Sequence, residues 1–596
     1  MFKRVDDTRP RNSRAAVCLT ACLLVVCGCS SSTDSEHQEL AGKPSGQLEN
    51  AEPAMLSDVE RKYLWDTEHL GFVLEQTVFP IFKQGLREHD LEPVRVLLSD
   101  KFRAALPQEE TVTERDGIFR LTKSSTAPEQ PLESDAAAWL EWLRTLRSRF
   151  DEEADRCSVS VGLVRLLPEV RGDLDGRWTT VWKLRLAGHR GEQPVEITTW
   201  IKLTLASLND DIAKQAGWIV DACVQRFEWV ESPATLFVEV TDETGIDNSL
   251  FYDNWDDGET FVPNTGGVYV SDYDLDGDLD LLIDDRRAGA RLYRNSGQGE
   301  FEDVTESSGL GAVVESPLWV QSLWGDLDGD ADDDLIIESR LFRNDGDGTF
   351  TDVTEQSNLP LLPATGYSLA DFDRDGRVDL YVTHSDAYRP GQTHREAVSW
   401  IDDGLGIDNV LWRNLGDWQF EDVTESVAAG AGGSSSFASV WLDANNDLIP
   451  DVFAINEFGR NSLLISGTDG RFSAAPIDPV FGGFSMGVTA GDVNNDGRTD
   501  LYVSNMYSKA GNRILANVDR ETYPADLYAK IVEATTGNKL YLGGADSTFE
   551  PLSPEKTIAD IGWAYGASMG DIDGDGWLDI AVTAGFKSVT RGKPDG

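Results

Sequence analysis

A nine-residue pattern of oxygen-bearing side chains, D-x-[DN]-x-D-x-x-x-D, recurs six times in this chain. The first three copies align Asp272, Asp274, Asp276 and Asp280; Asp326, Asp328, Asp330 and Asp334; and Asp371, Asp373, Asp375 and Asp379. The last three align Asp443, Asn445, Asp447 and Asp451; Asp492, Asn494, Asp496 and Asp500; and Asp571, Asp573, Asp575 and Asp579. Hard Ca²⁺ takes about six to eight oxygens at about 2.3–2.6 Å. Carboxylates at positions 1, 3 and 5 of a tight loop point to one centre. A glycine at position 6 permits the sharp turn, and a position-7 carbonyl and the position-9 carboxylate can close the shell. Without a cation, carboxylates packed this closely repel. The spacing therefore predicts several Ca²⁺ sites. Ala331 and Leu448 replace the position-6 glycine, which predicts weaker binding in the second and fourth copies. Asn445 and Asn494 keep an oxygen and lose a charge. With a dissociation constant near 10⁻⁴ M and about 1 mM Ca²⁺, each site adds about 1.4 kcal/mol. Six such sites add about 8 kcal/mol, comparable with the stability of a whole domain at about 5–15 kcal/mol. The ions are read as structural.

The elements around the loops repeat as well. Each loop runs into a β-type stretch such as LLID (281–284), LYVTH (380–384) or IAVT (580–583), not into the helix that an EF-hand needs. LYRN (292–295), LFRN (341–344) and LWRN (411–414) follow, then FEDVTE (301–306), FTDVTE (350–355) and FEDVTE (420–425). Four short strands per unit, repeated at irregular spacing, predict a mainly β fold, a β-propeller spanning 235–596. The count is six blades, or seven if the insertion Asn505 to Ala534 hides a degenerate one. An orphan FVEVT (237–241) precedes the first unit and is expected to supply the missing outer strand of the last blade and clasp the ring. These motifs resemble the FG-GAP/VCBS repeats of integrin α-chain propellers. They are closer to bacterial relatives of cartilage acidic protein, where FxDVTxxxG and DxDxDGxxDL alternate. The resemblance implies Ca²⁺ at the aligned residues of all six loops.

Before the repeats, residues 55–232 read as a small α+β domain. Apolar residues recur at helical spacing from Val59 to Phe82, with Pro80 as a kink, and a second helix is expected from Asp135 to Phe150. The period then becomes two over 159–163, 180–186 and 195–205, and the last two runs form a long hairpin. Helices followed by long antiparallel strands resemble the cone-shaped family of nuclear transport factor 2 and SnoaL-like proteins, a likeness of shape that does not carry a function. Cys157 and Cys223 are the two cysteines of this domain, and either a disulfide or two buried thiols fits an exported protein.

The first residues read as an address. Lys3, Arg4, Arg9, Arg11 and Arg14 precede an apolar run, Ala15 to Gly28. That run is shorter than the roughly 20 residues that span a bilayer and has the length of a signal-peptide core. Val26-Cys27-Gly28-Cys29 resembles a bacterial lipobox, which implies cleavage after residue 28 and a lipid on Cys29. Residues 29–54 are polar and read as a tether. With Ser30 after the cysteine, the resemblance implies an exported cell-envelope lipoprotein of a Gram-negative outer membrane, held to the membrane through its lipid. The 596 residues carry 52 basic and 104 acidic side chains, a net charge of −52. That balance excludes nucleic acid as a partner, because phosphate binding needs a basic footprint.

No metalloprotease HExxH, Walker loop or GxGxxG is present. The one polar cluster outside the loops is THSDAYRPGQTHREAVSW (383–400), in which His384, Asp386, His394 and Arg395 form a candidate ligand loop. The sequence supports a binder of a protein or glycan first. A structural scaffold of an envelope complex and a hydrolase acting at the propeller face are the alternatives, and no catalytic residue is assigned.

Overall fold

The computed structural model describes residues 57–107, 111–116, 119–124, 133–151, 157–232, 237, 240–252, 266–285, 287–311, 321–338, 340–360, 364–385, 407–457, 459–475, 484–505, 507, 509–523, 525–545, 547–552, 561–562 and 564–584. The leader, Cys29 and the tether lie outside these residues, as do Asp386, His394 and Arg395. The chain divides into two compact units. The first comprises Met1–Glu239 with Lys509–Tyr528 and Arg591–Gly596, and the second Val240–Ser508 with Ala529–Thr590.

In the first unit, Ser57 caps helix α1 (Asp58–Val73), accepting the Glu60 N–H at 3.2 Å. A π-helical turn, Leu74–Val78, joins it to α2 (Phe79–Arg87). Pro80 explains the join: it has no N–H to continue the ladder, and its ring crowds the carbonyl four residues back. After α3 (Glu92–Leu97) come β1 (Leu98–Ala105), β2 (Thr111–Asp116) and β3 (Phe119–Ser124). Helix α4 (Ala136–Arg147) is capped by Asp135, which accepts the Ala138 N–H at 2.9 Å. Four long strands follow: β4 (Cys157–Pro168), β5 (Trp178–Arg190), β6 (Gln193–Leu205) and β7 (Ile219–Glu231). The sheet order is β2-β3-β7-β6-β5-β4, with β1 parallel to β7. Alternate residues of β5 are buried, and Trp182 meets the ring edges of Phe79 and Phe82 at 4.9 and 5.2 Å. The α+β order read from the sequence is present.

Two expectations change here. Cys157 on β4 and Cys223 on β7 form no disulfide, and two strands separate theirs in the sheet. At about 4.8 Å per strand that separation is near 14 Å, beyond the roughly 7 Å that a disulfide spans. The described residues of the insertion after Asn505 are mainly helical and add no further four-stranded sheet. Its residues Lys509–Tyr528 belong to the first unit, where helix α5 (Lys509–Asn517) places Ile514 and Val518 in one apolar cluster with Leu64.

The second unit is a series of small antiparallel sheets, one per carboxylate loop. The first holds β8 (Gly266–Ser271), β9 (Asp280–Asp285), β10 (Gly289–Asn295) and β11 (Phe301–Asp303), and the second β12 (Ser322–Gly325), β13 (Asp334–Ile337), β14 (Arg340–Asn344) and β15 (Phe350–Asp352). The third holds β16 (Gly366–Ala370), β17 (Asp379–Thr383), β18 (Val410–Gly416) and β19 (Gln419–Asp422), and the fourth β20 (Ser436–Leu442), β21 (Asp451–Asn456), β22 (Ser462–Ser466) and β23 (Phe472–Ala474). The fifth holds β24 (Ser485–Gly491), β25 (Asp500–Asn505), β26 (Lys539–Gly543) and β27 (Phe549–Pro551). The sixth shows two strands among the described residues, β28 (Ala564–Gly570) and β29 (Asp579–Ala584). The orphan FVEVT lies partly outside the described residues. Phe237 is exposed, Thr241–Glu243 forms a 3₁₀ turn, and the described residues of this motif belong to no strand. The tail of this motif has another role. Phe301 donates its N–H to the Thr244 carbonyl at 2.7 Å, as Phe350 does to the Ser308 carbonyl at 2.8 Å. The glycine that follows in each case, Gly245 or Gly309, has positive φ and no room for a Cβ against the next phenylalanine's carbonyl. This close approach is why the repeat reads DVTxxxG.

Candidate metal centres

Each nine-residue loop joins the first two strands of its sheet. The position-1 carboxylate folds the loop by accepting the position-6 N–H: Asp272 from Gly277 at 3.1 Å, Asp371 from Gly376 at 2.9 Å, Asp571 from Gly576 at 2.9 Å. The position-5 carboxylate accepts the position-7 N–H, as Asp575 does from Trp577 at 2.9 Å. Positions 4 and 6 both take positive φ, so two left-handed residues make the turn. Ala331 (78°) and Leu448 (64°) hold the same conformation as the glycines they replace, and Asp326 and Asp443 still accept their N–H groups. The position-6 substitutions therefore strain the loop without opening it.

The structure gathers three ligand oxygens to within 4.8 Å of one another in four loops. The groups are Asp272, Asp274 and Asp276; Asp326, Asp328 and Asp334; Asp371, Asp373 and Asp379; and Asp571, Asp573 and Asp579. Asp280, Asp330, Asp375 and Asp575 stand outside these triplets. The fourth and fifth loops, with Asn445 and Asn494 at position 3, form no three-carboxylate group among the described residues.

The position-9 aspartates have a role in the fold itself. Asp334 is buried and accepts two backbone N–H groups, from Leu327 at 2.9 Å and from Asn344 at 2.9 Å. Asp379 does the same with Phe372 and Asn414, Asp451 with Ala444 and Ser466, and Asp500 with Val493 and Gly543. Each aspartate thus clamps the loop to the end of the third strand. The asparagine of the x-R-N motif, given no role by the sequence, reaches further. Asn344 Nδ2 donates to the Tyr273 carbonyl at 2.8 Å and Asn414 Nδ2 to the Leu327 carbonyl at 2.7 Å, each binding the loop of the preceding repeat.

The donor set fits a hard cation. Asp272 Oδ1, Asp274 Oδ1, Asp280 Oδ2 and Asp328 Oδ1 are shielded from solvent and accept no hydrogen bond. Shielded carboxylate oxygens without a donor are costly unless a cation meets them. Burial, and secondarily the neighbouring carboxylates, raise the carboxyls of Asp274 and Asp328. Burial pushes Asp280 and Asp451 up to about 6 and Asp334 and Asp379 up to about 7, although backbone N–H groups pull them down. In the third loop, arginines already share the charge: Arg413 lies 2.7 Å from Asp373 and Arg377 2.5 Å from Asp375.

The other candidates divide. His384 is buried, its N–H donates to Asn409 Oδ1 at 3.2 Å, and it lines an apolar cavity of about 60 Å³ with Tyr367 and Trp412. A wider cleft of about 1190 Å³ in the second unit is lined by Asp408, Glu425 and Arg460 over Asn409 and Asn461. The run Gly483-Phe484-Ser485-Met486-Gly487 has the GxSxG form of a hydrolase nucleophile. Ser485 is fully buried and donates to Asn505 Oδ1 at 2.8 Å, so it presents no hydroxyl to a substrate. No helix among the described residues is long and apolar enough to cross a membrane.

No curated protein matches the chain. Four stretches, 272–337, 338–382, 443–503 and 526–582, match the FG-GAP-like repeat family. All six carboxylate loops recur at the same junction of small antiparallel sheets, and all six fall within the matched stretches; the chain carries FG-GAP-like repeats.

Proposed function

We propose that the second unit is a β-propeller whose blades are stapled by Ca²⁺, and that the protein is an exported, lipid-anchored binder of a protein or glycan at the cell envelope. The observation that carries the metal reading is the set of solvent-shielded, donor-free oxygens on Asp272, Asp274 and Asp328 inside triplets of carboxylates. Ca²⁺ suits them because it accepts many carboxylate oxygens in flexible geometry, whereas Mg²⁺ demands near-ideal octahedra. The ion's role is structural: the loops knit strands and adjacent repeats, and Asn344 and Asn414 turn loop order into order between repeats. The binding reading rests on the cleft over Asn409 and Asn461, whose Asp408, Glu425 and Arg460 offer hydrogen bonds to hydroxyl-rich or charged ligands.

Calorimetric titration of the metal-free chain with Ca²⁺ and then Mg²⁺ tests the first part. Several equivalents of Ca²⁺ should bind, with little competition from Mg²⁺. The second part is tested on a glycan array and by pulldown from envelope extracts, with Arg460→Ala and Glu425→Ala as paired variants. Retention that both variants lose, without loss of thermal stability, supports the cleft; retention that neither affects removes it.

A further inference from the structure

The outer two strands of the sheets in the second unit share an ion pair that one repeat has half lost. In the first sheet, Arg291 stands two residues before Tyr293, which pairs with Asp303, and donates to Asp303 Oδ2 at 2.7 Å. In the second, Arg340 holds the same place before the Phe342–Asp352 pair and bonds Asp352 Oδ2. In the third, Asp422 pairs with Trp412, and its Oδ1 accepts the Thr424 N–H at 3.0 Å, as Asp352 Oδ1 accepts that of Thr354 at 2.9 Å. Val410 stands where the arginine stood. The aspartate has kept its posture and lost its guanidinium, and among the described residues no other cation pairs with it.

The next two sheets resolve the same pair differently. The fourth has Ser462 and Ala474 at the two positions, so neither charge is present. The fifth has Lys539 with Pro551 in place of the aspartate, and the lysine pairs with Glu533. Among these five sheets, Asp422 is the acid left without its base.

The wide cleft opens at this point. Val410, Asp422, Ser462 and Ala474 all line it. Val410, Ser462 and Ala474 are shorter than the arginines and aspartates of the first two sheets, and residues 428–432 (AAGAG) add nothing larger than a methyl group. The volume of about 1190 Å³ therefore includes the vacated arginine position. The exposed Asp408, Asp422 and Glu425 outnumber the one guanidinium of the lining, Arg460, so the cleft attracts cations. Val410 and Phe472 offer apolar surface for a methylene stem.

We infer that the cleft takes an arginine side chain of a partner polypeptide, whose guanidinium bonds Asp422 as Arg291 and Arg340 bond Asp303 and Asp352. This deepens the reading of the cleft as a binding site and rests on it. A guanidinium presents a planar fork to a carboxylate and an ammonium does not, so arginine is preferred to lysine. Asp422 is exposed, so binding weakens as salt rises.

Fluorescence anisotropy with the whole chain tests it, using labelled short Gly-Ser peptides that carry arginines, lysines or glutamines. The arginine peptide should bind roughly tenfold tighter than the glutamine peptide, with lysine between them. Asp422→Asn should cost that roughly tenfold preference. Val410→Arg should cost as much, because it returns the missing arginine and occupies Asp422 from within. Its thermal midpoint should hold or rise, which separates a filled site from a misfolded one. Asp303→Asn, at the matching pair of the first sheet, should leave peptide binding unchanged. Peptide binding indifferent to both Asp422→Asn and Val410→Arg overturns the inference, as does equal binding of the arginine and lysine peptides. Glycan retention that Arg460→Ala and Glu425→Ala lose and Val410→Arg keeps overturns the arginine subsite alone. Retention of neither peptide nor any other ligand removes the cleft reading with it.

Discussion

The side-chain amide of Asn344, 1% exposed, donates to the carbonyl of Tyr273 at 2.8 Å, 71 positions earlier in the chain. Its own backbone N–H meets Asp334 Oδ1 at 2.9 Å. One residue therefore bonds the loop of its own repeat and the loop of the repeat before. Asn414 repeats the arrangement on Leu327 and Asp379.

Asn344→Ala strands a buried carbonyl and should cost about 1–3 kcal/mol. Urea unfolding at saturating Ca²⁺ measures it. Calcium affinity of the first loop should fall with it, because the Tyr273 carbonyl lies inside that loop. An Asn295→Ala control, whose amide bonds Leu279 of its own loop at 2.9 Å, should not affect a neighbouring loop.

Leu448 is 84% exposed and sits at φ 64°, and Ala331 sits at 78°. A left-handed residue with a Cβ costs about 1–2 kcal/mol, of which glycine's extra chain entropy returns part. Leu448→Gly and Ala331→Gly should therefore each stabilise by roughly 0.5–1 kcal/mol. Gly376→Ala, at φ 89°, should do the reverse. Chemical denaturation midpoints decide the sign.

Burial raises Asp334 and Asp379 to about 7 and Asp280 and Asp451 to about 6, above the usual carboxylate value. The folded chain without cation thus favours their neutral forms. Their contribution is fully present below the unfolded carboxyl value of about 4 and is lost as pH rises towards 6–7. In chelator, the urea midpoint should fall between about pH 4 and pH 7. With Ca²⁺ the ionised forms gain a partner, so the fall should vanish or invert, and apparent calcium affinity should rise over the same interval.

The carboxylate loops, the strands around them and the α+β order of the first unit were legible because each depends on local spacing. A run such as DFDRDGRVDL carries its own turn and its own period-two strand. What depends on distant pairing was not legible. The position-9 aspartates look like ligands in the sequence, and their second role as clamps appears only once the third strand brings Asn344 or Gly543 to them. Arg513 is a lone basic residue in an insertion until Glu68 and Glu75 meet it. Cys157 and Cys223 invite a bridge that the strand order forbids.

Arg513→Ala removes the counter-charge beside buried Glu68 and one partner of Glu75, and should cost about 3–5 kcal/mol. Glu68→Gln in that background should recover part of the loss, since it removes a stranded charge. A double-mutant cycle on unfolding free energies reads the coupling. Additive losses would mean that the pair contributes nothing as a pair.

The most direct measurement is thermal unfolding of the whole chain in chelator and across a Ca²⁺ titration, with Mg²⁺ in parallel. Four grouped loops, each contributing about 1.4 kcal/mol at tenfold the dissociation constant, should raise the midpoint of the second unit by on the order of 10 °C. The rise should saturate, and Mg²⁺ should reproduce little of it. A midpoint that does not move with Ca²⁺ would contradict the claim that these carboxylate loops are cation staples.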